Sequence, residues 1–334
     1  MMKRLFTLCL AMVMALSLAA CGGSKTPAAG SASTSVASSA PTSAKPVDSA
    51  PVLTRGDQVS EDIKADDGTV AVIISYTPIS ISYPANAEVE KAVQKDLDKV
   101  VADFLKSARD YEEEAKTYYK EYLQSGGKAE AFSPYVCSLD SKAIRQDTGV
   151  ISTLFSSYAF TGGAHGGLVT FARNYDAKTG KVLTMKDLGE GVSTVAIDNV
   201  VKFVDAIQKD GDAFFYDKVK ADDESVQSML ETGNFYLSKD GLVLIDGQYL
   251  LQPYAAGIAE FTTSYDDLKG KLKEAYALTG GVTSCMGVET TYTFDKDGKL
   301  VSTKTSYDPA VLNDGESNTN TAQDAADGSV SASN

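Results

Sequence analysis

Between Val89 and Tyr122 apolar residues recur every third or fourth position: Val89, Val93, Leu97, Val101, Phe104, Ala108, Tyr111, Ala115, Tyr118 and Tyr122. Charged residues such as Glu88, Glu90, Lys91, Lys95, Asp96, Asp98 and Lys99 fill the positions between them. A strand would repeat every two residues, so this spacing predicts one long amphipathic helix with an apolar stripe turned to a core. Asn86 stands where an N-cap belongs and Gly126-Gly127 where a helix stops. The tyrosines of its C-terminal half read as core side chains. The helix is a scaffold and needs a sheet to lie on.

The flanking sequence supplies strands. "GTVAVIISYTPISISYP" (68–84) is rich in β-branched residues and reads as two segments bent at Pro78. After the helix the period changes to two in "YVCSLDSKAIRQ", "VISTLFSSYAF", "LVTFARNYDAKTGKVLT" and "NFYLSKDGLVLI". Turns fall at Asp147-Thr148-Gly149, Ala177 to Gly180 and Lys239-Asp240-Gly241. "GVSTVAIDNVVKFVDAIQKD" returns to helical spacing, "FTTSYDDLKGKL" reads as a strand and a short helical turn, and Val288 to Asp308 as a hairpin about Asp297-Gly298. Strands in meander order with helices set apart predict an α+β fold: antiparallel sheets with one long amphipathic helix and segregated shorter helices.

The ends carry a different message. Lys3 and Arg4 precede an apolar run, Leu5 to Leu18, too short for a stable span, and Ala19-Ala20 lead to Cys21. "LAAC" has the form of a lipobox, which makes Cys21 the lipidated first residue of a mature, membrane-anchored extracytoplasmic protein. The expected organisation is a signal peptide at 1–20 and a Ser/Ala/Pro linker at 21–54. A smaller α+β domain at 55–130 and a second at 131–275 follow, then a hairpin extension at 276–312 and a tail at 313–334. The linker and tail hold too little apolar surface to offset chain entropy, and no later apolar run is long enough to cross a bilayer. Cys137 and Cys285 remain in the folded part; a disulfide between them and two separate buried thiols both fit the sequence.

Charge narrows the partners. The chain has 31 basic and 45 acidic residues, a net charge of -14. Removing residues 1–20 takes away two basic residues, leaving 29 against 45, or -16. Such a surface repels nucleic acid and draws cationic partners. The only histidine, His165, sits in "TGGAHGG". One histidine cannot furnish a multi-His metal site, and neither "HExxH" nor "CxxC" occurs. Ser156 and Ser157 lie near it in sequence, but no "GxSxG" elbow is present. Nor is there a "GxxxxGK[ST]" loop, and the "DKDGK" turn at 295–299 has Ser306 where a calcium loop needs a bidentate glutamate. No metal or cofactor is expected. Four glycines in six residues fit a tight, rigid connection whose imidazole makes contacts.

"YAFTGGAHGG", "NFYLSKDGLVLI" and "QPYAAGIAEFTTSYDDL", in this order, resemble the extracytoplasmic domain of RsiV-type anti-sigma factors, a domain also found in front of PdaC-type peptidoglycan deacetylases. "VAVIISYTPISISYPANAEVEKAVQKDLDKVVADFLKSARDYEEEAK" is similar to the smaller domain that precedes it there. The resemblance runs from about Thr69 to Leu272. It implies a receptor domain that binds lysozyme, a cationic muramidase. The matching positions are Thr161, Gly162, Gly163, Ala164, His165 and Gly166, and Pro253, Tyr254, Ala255, Ala256, Gly257, Glu260, Phe261 and Tyr265. Gly167 departs from the Asn that commonly follows "GGAHG". The cytoplasmic and membrane-spanning parts of such anti-sigma factors, and the metal-binding Asp and His residues of the deacetylases, have no counterpart in this sequence.

The expectation is therefore a lipid-anchored, non-enzymatic binding module for a cationic protein such as lysozyme or for a cell-wall component. Thr161, Gly162, Gly163, His165, Gly166, Tyr254 and Glu260 are the ligand-binding candidates. A wall hydrolase using His165 and a structural envelope lipoprotein without a dedicated ligand are the alternatives.

Overall fold

A computed structural model describes residues 50–205, 214, 218–254 and 257–280, and the backbone of 206–208, 288–294 and 300–307. Cys21, Ala255, Ala256 and Cys285 lie outside the described residues, as do the signal, most of the linker, the tail and the 295–299 turn. The chain forms two compact units, 1–283 and 284–334. Within the second, β11 (Val288–Phe294) and β12 (Leu300–Tyr307) pair antiparallel, the hairpin its alternation predicts.

The fold is α+β. Five strands make its main sheet: β1 (Val52–Arg55) lies outside it, and β2 (Val59–Lys64), β3 (Val70–Tyr76), β5 (Tyr135–Gln146), β6 (Val150–Phe160) and β7 (Gly167–Asp176) stand in that order. β4 (Ile79–Ser82) follows β3 after a break at Thr77-Pro78 and pairs with β1. Residues 52–54, read above as the end of the linker, are thus a strand. Leu53 is the reason: it is buried in the core, and its amide donates to Gln146 Oε1 at 2.6 Å.

One pair departs from the antiparallel expectation. β3 and β5 run parallel, which requires a long crossover between them. The amphipathic segment provides it, as α1 (Ala87–Arg109) and α2 (Glu112–Gln124). Asn86 caps α1, accepting from the Val89 amide at 3.3 Å. Val89, Val93, Leu97 and Val100 pack on Ile79, Ile81, Leu139, Phe155 and Tyr175. Each such burial stabilises by roughly 1.5–3 kcal/mol. The helix then bends at Asp110-Tyr111, and the small, buried Ala108 and Ala115 flank the bend against Val72 and Ile74. The acidic first turn of α2, Glu112 to Glu114, complements its own dipole. The bend shifts the stripe: Tyr119 is buried and Tyr118 is 40 % exposed, the reverse of the even spacing.

β5, β6 and β7 form a meander, with Cys137 buried on β5. After α3 (Met185–Leu188), α4 (Val192–Gln208) and α5 (Glu224–Gln227), the strands β8 (Phe235–Leu237), β9 (Gly241–Ile245) and β10 (Glu260–Ser264) make a second, antiparallel sheet. Buried Asn174 joins the two sheets. Its Nδ2 donates to Phe235 O at 2.8 Å, and its Oδ1 accepts from Ser152 Oγ at 2.6 Å and from the Leu237 amide at 3.1 Å. Every polar atom of that amide is thereby engaged, so the junction is fixed in position. No helix among the described residues is long and apolar enough to cross a membrane.

Candidate functional site

The Asn174 junction sets two loops side by side. The first, 161–166, connects β6 to β7 beyond their last pair, Ala159 with Gly167. Gly162 and Gly163 take φ of 86° and 92°, values that disfavour any side chain. Gly166 packs closely for a second reason: a Cβ there would lie 2.5 Å from the Tyr158 ring, which would have to shift. Gly167 faces open space, so its departure from the commoner Asn costs no packing. His165 is exposed at the crest.

The second loop, 246–259, connects β9 to β10. Leu250 N donates to Gly247 O at 3.1 Å, closing a turn whose third residue, Tyr249, has φ of 67°. Gln248 before it has no positive φ, so the turn follows the type II pattern, which ordinarily wants Gly or Asn at that place. Tyr249 is the one described non-glycine residue in the left-handed region, and it is 41 % exposed. An aromatic residue held there costs of order 1 kcal/mol. Asp246 braces the loop from beneath, its Oδ2 accepting from Leu251 N at 3.2 Å. Burial pushes its carboxyl up to about 7, against the opposing pull of the Leu251 and Gly247 amides.

The two loops meet in a cluster of rings. His165 stacks on Tyr254 with centroids 4.0 Å apart and planes 24° apart. Tyr249 completes the cluster, 5.6 Å from Tyr254. His165 Nδ1 lies 3.0 Å from Gly166 O, a carbonyl that can only accept, so this nitrogen carries the proton. In the neutral ring Nε2 then accepts from the Tyr249 hydroxyl, at 3.2 Å. Gln248 Oε1 adds a third tie, accepting from Leu168 N at 3.1 Å.

Among the sequence candidates, the structure brings His165 and Tyr254 together on the frame of Gly162, Gly163 and Gly166, with Thr161 half-buried at the loop's start. Glu260 goes elsewhere. It lies on β10 opposite Ile245, where it accepts from the Tyr236 hydroxyl at 3.1 Å, and burial raises its carboxyl. Among the described residues no hydrogen bond links His165 to Ser156, Ser157 or a carboxylate, and no group of three or more His, Cys, Asp or Glu is placed to hold a metal. Tyr249 was not foreseen. Its only sequence signal is an aromatic residue following "DGQ" in the same loop as Tyr254, and that says nothing of its φ.

Two family models match in succession. Residues 73–167 match the model described as deacetylase PdaC, and 194–266 match a family of unknown function, DUF3298. His165 falls in the first segment and Tyr249 and Tyr254 in the second, so the ring cluster is one of the places where the two touch. No curated protein matches the chain. Among solved structures, a DUF3298 family member from Bacteroides fragilis is 17% identical with a TM-score of 0.49, covering 67% of this chain and 94% of its own. A DUF3298 family protein from Pseudomonas aeruginosa is 19% identical with a TM-score of 0.44, covering 68% and 97%.

Proposed function

We propose that this chain is a non-enzymatic, extracytoplasmic binding module, tethered to the membrane through a lipidated Cys21, whose two apposed loops grip a cationic protein of the lysozyme kind. The observation that carries the reading is the His165–Tyr254–Tyr249 cluster, in which His165 and Tyr249 are exposed over a half-buried Tyr254, built on a turn that holds Tyr249 at unfavourable φ. Strain kept at an exposed aromatic residue points to contact with something outside the chain. Rings with few rotatable bonds, set on a rigid rim, suit a protein interface because little entropy is lost on binding.

His165 supports contact over catalysis. Its Nε2 lone pair is taken up by Tyr249 and its Nδ1 proton by a backbone carbonyl, which leaves no poised base–nucleophile pair. The family description that names a deacetylase carries no chemistry over to a sequence with one histidine. Net charge favours a basic partner: an acidic protein steers a basic one, with affinity that falls as salt rises.

Titration of the purified chain with C-type lysozyme at low and moderate salt tests this. Binding is expected at both, weaker at the higher, and reduced roughly tenfold or more by His165→Ala or Tyr254→Ala with the melting temperature kept. Absence of binding at either salt removes lysozyme as the partner. The exposed ring faces also suit a sugar, so salt-insensitive binding of peptidoglycan fragments in place of lysozyme would select a cell-wall glycan. Release of wall fragments that disappears in His165→Ala would overturn the non-enzymatic reading.

A further inference from the structure

The exposed side of α2 carries a feature that packing does not explain. Glu113, Glu114, Thr117, Tyr118 and Glu121 share one side of the helix and are all exposed. With Tyr135 of β5 they line an open groove of about 500 Å³. Its base is aromatic: the Tyr118 ring lies 5.6 Å from that of Tyr135 at 34°, and 5.7 Å from Phe132. Its rim is acidic. Among the described residues no cation lies within ion-pair distance of Glu113, Glu114 or Glu121; Lys116 is held by Glu112, and Lys120 faces Asp66. The groove also adjoins the glycine loop, since a Cβ on Gly162 would be 3.8 Å from both the Tyr118 and Tyr135 rings.

We propose that this groove docks an arginine side chain of the cationic partner, its guanidinium lying on the Tyr118 ring and paired with Glu114 and Glu121. The inference rests on the cationic-partner reading above and gives the partner's basic residue its place. The chemistry selects arginine on two counts. A planar, weakly hydrated guanidinium stacks on an aromatic face, which a compact ammonium does less well, and its forked donors suit carboxylates on either side. A metal ion is a poorer occupant, because these carboxylates do not converge: no set of three described acidic residues is placed to hold one. Two exposed carboxylate pairs and one cation–π contact make a supporting contact within a larger interface.

The test uses the full chain with three probes: acetyl-hexa-arginine amide, its hexalysine counterpart, and C-type lysozyme. Hexa-arginine is expected to bind the native chain, and Glu114→Gln/Glu121→Gln to weaken it about tenfold. Asp57→Asn/Glu88→Gln removes the same charge from exposed positions elsewhere and is expected to change binding less than about twofold. Tyr118→Leu, which keeps apolar bulk over Tyr135, is expected to abolish the preference for arginine over lysine. Circular dichroism melts confirm that each variant folds. Equal losses in the two double variants would mean that diffuse charge attracts the peptide, and would overturn the groove as a site. Unchanged lysozyme affinity in Glu114→Gln/Glu121→Gln would also overturn it, while leaving the cationic-partner reading intact. Groove-dependent binding of hexa-arginine without any binding of lysozyme would support the arginine site and remove lysozyme as its source.

Discussion

Asp246→Asn gives a quantitative test of how the site loop is held. Asp246 ends β9, is 1 % exposed, and supports the loop through Leu251 N at 3.2 Å, while its Oδ1 has no hydrogen-bond partner among the described residues. A carboxylate so placed favours its neutral form, which raises it from an ordinary 3.8 to about 7. The sign follows from proton counting. Between these two values the folded chain holds a proton that the unfolded chain has released, so stability falls as pH rises, and the loss is complete once pH passes the folded value. Each pH unit costs about 1.36 kcal/mol, so the two units from pH 5 to pH 7 cost the native chain up to ~3 kcal/mol. Asparagine still accepts from Leu251 N and never ionises. Urea unfolding followed by far-ultraviolet circular dichroism at pH 5 and pH 8 isolates the effect as a difference of differences. The stability advantage of Asp246→Asn over the native residue is expected to grow by about 2–3 kcal/mol between pH 5 and pH 8. The same effect at both pH values, within ~0.5 kcal/mol, would show that Asp246 is not ionised inside an apolar setting, and the reasoning would fail.

Three further outcomes follow from other places in the fold. Tyr249→Gly removes a left-handed strain of order 1 kcal/mol, so unfolding free energy should hold or rise while affinity for lysozyme falls; a large loss of stability would show that the ring serves the core instead. Arg145→Met leaves Asp147 without the guanidinium that, with the Gly149 and Val150 amides, outweighs burial and keeps its carboxyl low. It also strips the donors at 2.7 and 2.8 Å from Tyr265 Oη and Tyr276 O, so denaturant unfolding should show a loss of about 3–5 kcal/mol. Gly149→Ala would set a Cβ 2.2 Å from the Ala275 carbonyl oxygen, a backbone atom that cannot move aside, and should lower stability by about 1–3 kcal/mol with binding at His165 unchanged.

Much of the fold was legible because local rules and packing agree there. Val89, Val93 and Leu97 lie where their spacing predicts, Asn86 caps, Pro78 separates β3 from β4, and the period-two segments became β5, β6 and β7. The failures have physical causes. Alternation says which face a side chain takes and nothing about strand direction, so the parallel β3–β5 pair was invisible until the crossover was recognised. The bend at Asp110-Tyr111 went unseen because Tyr111 and Ala115 keep a four-residue spacing across it, although the helix axis turns and the phase is reset. Tyr118 was therefore read as core when Tyr119 is, and the acidic groove was hidden inside that error.

The site divides the same way. The glycine run marks a tight connection, since positive φ at Gly162 and Gly163 is a backbone property that composition announces, but it does not say which way His165 points. The partners of that imidazole are a different kind of information. Tyr249 meets His165 across 84 residues of sequence, through a type II turn whose third residue is an aromatic where the turn's own chemistry asks for glycine. Local propensity argues against that conformation, so what holds it must be tertiary: the Gln248 bond to Leu168 N, the Asp246 brace and the stack on Tyr254 through His165. Its neighbours hold Tyr249 against its own preference while its ring faces solvent, which favours the proposed contact role over a stabilising one. The conflict between local preference and observed geometry is what most favours the contact reading proposed above, and it lies at one of the places where the segments matched by the PdaC and DUF3298 models meet.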